Sequence, residues 1–130
     1  MKYPVIVTAA RLLLGAIFAF AGFNGFLLLL GVEPIGPTSL DVPFMQVLVS
    51  TLYVFIPLKA AELTAGILLL VNRFVPLALL MLVPISINIL LFHVFDDQSL
   101  LLNGIVVLVL LAVLLYHYRA SYQQLLVYRV

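Results

Sequence analysis

The chain has no cysteine among its 130 residues. That excludes a disulfide scaffold, a thiolate nucleophile, a CxxC redox pair and an iron–sulfur cluster held on protein thiolates. Any redox role would therefore draw on a diffusible cofactor such as a quinone, or on a partner subunit. Charge is almost as scarce, at 8% of residues, while 66% are apolar. A soluble domain carries roughly a quarter of its residues as charges, and polar surface this sparse could not cover a globule in water. The formal net charge of +1 has no basic cluster behind it, which argues against a nucleic-acid partner. His93 is a lone histidine with no HExxH motif around it, so no metal site is expected. There is no internal repeat of the kind that alternating-access carriers use.

What is present in quantity is long apolar sequence. A bilayer core needs about 20 apolar helical residues, and four segments supply them: about 11–30, 44–71, 74–95 and 100–118. They are rich in Leu, Val, Ile and Ala and lack the polar alternation of a porin strand, which excludes a β-barrel reading. The expected fold is all-α, a single domain forming an antiparallel four-helix transmembrane bundle. Lys2 and Ala19-Phe20-Ala21 resemble parts of a signal peptide, but apolar sequence runs on to Leu30, so the segment reads as a retained first span.

The few charges orient the spans. Lys2 and Arg11 flank the start, Arg73 stands between the second and third spans, and Arg119 and Arg129 follow the fourth. Glu33 and Asp41 follow the first span, and Asp96 and Asp97 the third. The positive-inside rule places both termini and Arg73 in the cytoplasm. Tyr116, Tyr118 and Tyr122 fall where an aromatic belt would. Between Gly31 and Pro43 lies the long external loop, with turns at Pro34, Gly36, Pro37 and Pro43; it is an ordinary loop or a lid over the outer end. Short turns elsewhere force neighbouring spans to run antiparallel.

Polar residues inside hydrocarbon are costly and mark either packing or function. Lys59 and Glu62 lie near the middle of the second span, three residues apart and on one helix face. They form a self-neutralising packing pair or a site for an anion, a proton or a cofactor head, and the sequence leaves both open. Asn24 sits among Gly15, Gly22 and Gly25 and reads first as interhelical glue between closely approaching helices. Asn88 and His93 occupy the third span, separated by about 140° around the helix, so one ligand need not meet both. His93 is a candidate for proton handling or for bonding a quinone carbonyl. Arg11 can snorkel to phosphates or turn inward to Glu62, which would leave a net positive interior fit for an anionic head group. Pro57 and Pro84 stand close to these polar positions and are expected to kink their spans and open a small internal space.

Three stretches, ARLLLGAIFAFAGFNGF from Ala10, KAAELTAGILLLVNRFVPLAL from Lys59 and PISINILLFHVF from Pro84, together resemble the DoxX family of small four-helix membrane proteins. The most specific piece is Glu62-Leu63-x-x-Gly66 followed by Asn72-Arg73. The resemblance covers three of the four spans. It implies four membrane helices in a bacterial or archaeal plasma membrane and an association with oxidoreductase or sulfur-metabolism complexes, or with membrane assembly. The expectations that follow are a quinone or other small lipid-soluble or anionic ligand near Lys59, Glu62, Asn24, Asn88, His93 and Arg11, no intrinsic cofactor, and membrane lipids with a protein partner or a homo-oligomer as associates. A non-catalytic assembly factor and an oligomeric anion carrier are the alternatives.

Overall fold

The structure, a computed structural model, describes residues 5–33, 35, 42–96, 98 and 101–126, without the side chains of Gln124 and Leu126. Of the residues read above, Lys2, Pro34, Gly36, Pro37, Asp41, Asp97 and Arg129 lie outside the described set. Among the described residues the chain is helical, without strands. The α-helices are α1 (Val5–Leu29), α2 (Pro43–Ser50), α3 (Leu52–Val71), α4 (Val75–Phe95) and α5 (Leu101–His117), followed by a 3-10 segment, Arg119–Leu126. Three of them, α1, α3 and α4, are long and apolar enough to cross a membrane; α5 is apolar but shorter.

The apolar segment 44–71, expected as one span, is two helices. Thr51 leaves the helical region at φ −93° and ψ 80°. The hydroxyls of Ser50 and Thr51 both donate to the carbonyl of Val47, at 2.9 and 2.7 Å. Side chains of this kind compete with the backbone for its own acceptors and favour a helix end. The break falls before Pro57, which is accommodated inside a continuous α3. In α4, Pro84 is likewise inside a continuous helix.

Helix ends are closed by identifiable caps. After α1, Gly31 takes φ 77°, Val32 N–H donates to Leu27 O at 2.8 Å and Gly31 N–H to Leu28 O at 3.1 Å. That is the Schellman arrangement, which satisfies otherwise orphaned carbonyls. The end of α3 repeats it with Asn72 at φ 58°, Arg73 N–H reaching Leu68 O at 3.0 Å and Asn72 N–H reaching Leu69 O at 3.4 Å. Asparagine is among the few residues that adopt this left-handed conformation cheaply.

α1 and α3 form the main helix pair, and residues rise along one as they fall along the other. A Cβ on Gly15 would meet Gly66 O and Leu69 Cβ at 3.0 Å, and one on Gly22 would meet the Leu63 backbone nitrogen at 2.6 Å. Small residues let two backbones approach this closely, which is how helices gain van der Waals packing where lipid supplies no hydrophobic drive. The buried core draws on Leu14 and Phe18 of α1, Leu69 of α3, Leu79 and Leu82 of α4, and Leu111 and Leu114 of α5. These residues lie near the middle of α1, in the first half of α4 and in the second half of α3 and α5. The buried core is therefore gathered toward one end, and what the other end does with its space defines the site.

Candidate functional site

Away from this core the helices bound a partly open cavity of about 790 Å³. Ligand pockets commonly fall between ~300 and 1,000 Å³. Its walls come from the later part of α1 (Ala21 to Leu28), the earlier part of α3 (Val54 to Glu62), the later part of α4 (Pro84 to Asp96) and Asn103 of α5. The short helix α2 adds Phe44, Met45 and Leu48. No residue of α2 is buried, yet the Phe44 ring lies 5.7 Å from that of Phe92 on α4. The helix break at Thr51 is thus what lets α2 fold across the cavity instead of extending α3 past it.

Lys59 and Glu62 meet at the inner part of this space. Lys59 Nζ donates to Glu62 Oε1 at 3.0 Å, and the same ammonium lies 5.5 Å from the centre of the Phe55 ring. Glu62 is 3% exposed. Each charge is then neutralised by a neighbour on its own helix, the condition under which buried charge is tolerated in a membrane. The lysine stem crosses α1 at Gly25, where a Cβ would overlap Lys59 Cγ and Cδ and approach Cε to 2.9 Å. Gly25 is therefore part of the site, a role concealed in the sequence because helix–helix packing explains the same residue equally well.

Five of the six residues expected from sequence, Asn24, Lys59, Glu62, Asn88 and His93, line this one cavity. Asn88 and His93 do so despite their angular separation, because the cavity takes in a broad face of α4 that includes Ile85, Ile89, Phe92 and Phe95. Pro84 is in the wall and Pro57 is not. His93 is buried, its ring 5.2 Å from Phe92 in edge contact, and its Cδ2 lies 3.3 Å from where a Cβ on Gly104 would be.

Asn24 is not glue between helices. Its amide makes a two-point contact with the loop after α1, donating to Ile35 O at 2.8 Å and accepting from Ile35 N–H at 3.0 Å. The side chain thus supplies a peptide-like partner to Ile35, beyond the end of α1.

Arg11 stands apart. It does not pair with Glu62: its Nη1 donates to the carbonyl of Leu69 and, at 3.4 Å, to that of Leu70. Those carbonyls belong to the last turn of α3, where unsatisfied oxygens and the helix dipole favour a cation. The inward arrangement that would leave a net positive interior is replaced by a helix cap.

Sequence reasoning passed over three further features. Asn103 and Asp96 line the cavity; Asn103 opens α5 and Asp96 closes α4, positions that read as ordinary helix ends. Ser86 Oγ is buried without a hydrogen-bond partner among the described residues, and it stands between the apolar Ile85 and Ile87 in sequence. On the far side, Tyr122 Oη donates to Pro76 O at 2.7 Å, tying the 3-10 segment to the start of α4. Burial pushes the Tyr122 phenol above its ordinary range, with Tyr118 adding to the effect. Arg119 lies 4.1 Å from the centre of the Tyr116 ring. Among the described residues no group of three or more His, Cys, Asp or Glu is placed to hold a metal ion. No family model matches the chain, and neither does any curated protein or solved structure.

Proposed function

We propose that the chain is a DoxX-like multi-pass protein of a bacterial or archaeal plasma membrane whose intramembrane cavity binds a quinone or another small lipid-soluble molecule. In this reading four apolar segments form an antiparallel bundle with both termini and Arg73 on the cytoplasmic side. The protein acts as a subunit or partner of a membrane oxidoreductase system, the cysteine-free chain drawing on a diffusible cofactor or a partner for any redox step. The observation that carries the reading is the convergence of Asn24, Lys59, Glu62, Asn88 and His93, from three helices, on one largely apolar cavity. Apolar walls with a few converging polar groups are the usual make-up of a small-molecule site.

One observation favours the alternative of a non-catalytic assembly factor. Lys59 and Glu62 satisfy one another within α3, so their presence does not require a ligand. The two readings part on what the protein carries. Protein purified in mild detergent from its native membrane is extracted with organic solvent and the extract analysed by mass spectrometry. Ligand binding predicts a quinone-like molecule at a constant ratio to protein, lost from an Asn88→Trp variant whose indole fills the cavity. A folded wild-type protein with no co-purifying molecule of this kind would leave the assembly role.

A further inference from the structure

The charges around the cavity restrict what it can hold. Its lining contains one cation, Lys59, and two carboxylates, Glu62 and Asp96. Lys59 is already bonded to Glu62 at 3.0 Å, and Arg11, the other cation near the bundle interior, is engaged with carbonyls at the far end of α3. Asp96 is exposed at the end of α4, on the rim. The formal charges of these three side chains sum to one negative charge, and they offer an anion no uncompensated positive partner.

Hydrogen-bonding capacity, by contrast, is left over. Asn88 and Asn103 both line the cavity, and neither has a hydrogen-bond partner among the described residues. A primary amide provides two donors and an acceptor, and in an apolar setting leaving them unmet is costly. Asn88 and Asn103 are both exposed, and Asn88 lies about 10 Å along α4 from Phe95 at ~1.5 Å per residue, so a group that meets Asn88 from the cavity sits among its apolar walls. The space above it is bounded by Phe44, Met45 and Leu48 of α2 and by Phe92, a wall suited to an apolar body.

Resting on the ligand-binding reading above, we infer that the cavity selects an uncharged amphiphile, with a carbonyl- or hydroxyl-bearing head bonded to Asn88 and Asn103 and an apolar remainder against α2. The Lys59–Glu62 pair serves as a cancelled dipole beside the head. An anionic head could meet Lys59 only if Lys59 left Glu62, and the carboxylate left for a cationic head, Asp96, stands on the exposed rim, about 12 Å along α4 from Asn88.

The test uses the full chain in phosphatidylcholine nanodiscs and three probes sharing a decyl chain: decyl-1,4-benzoquinone, decyl sulfonate and decyltrimethylammonium. Protein-dependent binding is measured by equilibrium dialysis against empty nanodiscs. The benzoquinone is expected to bind wild type at least about tenfold more tightly than either ion, given the cost of an unpaired charge within the membrane. Glu62→Gln strips Lys59 of its counter-charge and should reverse the order in favour of the sulfonate. Asn88→Leu should weaken the benzoquinone by about tenfold, the value of one good hydrogen bond. If Glu62→Gln does not fold, the wild-type order and Asn88→Leu decide the matter. A wild type that prefers the sulfonate or the ammonium overturns the inference and leaves ligand binding standing. Failure of all three probes to bind overturns the ligand-binding reading as well.

Discussion

A single methyl group at Gly66 tests how closely α1 and α3 are packed. A Cβ there would overlap the backbone nitrogen of Ala19 and come within 2.8 Å of Ala19 Cα and Gly15 O. Every one of those atoms is main chain, so no rotamer change relieves the overlap and α1 itself must move. Overpacking of this kind costs roughly 1–3 kcal/mol, while exchanging glycine for alanine in a helix returns about 1 kcal/mol. Gly66→Ala should therefore be destabilising on balance, by up to about 2 kcal/mol. Gly22→Ala should behave similarly, with the Leu63 backbone nitrogen and Cα at 2.6 and 2.8 Å. At Gly104 the nearest atoms are 3.3 Å or more away and His93 Cδ2 is the closest, so Gly104→Ala should be neutral or stabilising by up to about 1 kcal/mol. The midpoint of dodecyl sulfate unfolding from maltoside micelles, followed by circular dichroism, orders the three variants. A Gly66→Ala midpoint at or above that of Gly104→Ala would refute the close approach of the two backbones.

Asn24→Leu should release the Ile35 loop while leaving α1 intact, seen as faster hydrogen exchange at Ile35 and unchanged exchange in mid-α1; unaltered protection at Ile35 would mean the two-point contact does not form. Arg11→Ala should cost about 1 kcal/mol through the last turn of α3, with Lys partly restoring it, whereas loss of ligand binding without loss of stability would place Arg11 at the site after all. Tyr122 has a folded-state pKa raised by burial, so its contribution to stability is complete below the ordinary tyrosine range and is lost as pH rises through the raised value. Tyr122→Phe should remove about 1 kcal/mol and flatten that alkaline decline, and a decline of the same size in the variant would assign it elsewhere. Because the chain has no cysteine, single Glu33→Cys and Arg73→Cys variants can be labelled against no background. An impermeant maleimide should reach Glu33→Cys from outside cells and Arg73→Cys only after lysis, and labelling of both from one side would contradict the proposed topology.

The helices were legible because hydrophobic length and scarcity of charge are properties of the chain alone. The break at Thr51 was not. Phe44–Val71 reads as one apolar run, and hydropathy carries no information about whether a serine or threonine hydroxyl has captured a carbonyl of the preceding turn. Lys59 and Glu62 were readable as neighbours because their spacing fixes a shared helix face. For Arg11 the sequence offers lipid phosphates or Glu62 as partners, while the folded chain presents the carbonyls that end α3 at hydrogen-bonding distance. For Asn24 the partner lies beyond the helix, in the loop, where periodicity says nothing. Asn88 and His93 were judged by their angle on one helix, but a cavity is bounded by several, and its width decides which residues share it.

The central claim, that the space beside Lys59 and Glu62 is a ligand site, is tested most directly by an experimental structure of the protein isolated from its native membrane in nanodiscs. A ligand site there should show one elongated non-protein density in the cavity, its head at Asn88 and its body beneath Phe44 and Phe92. A cavity closed by α2 and protein side chains, with the Asn88 amide bonded only to protein, would contradict it.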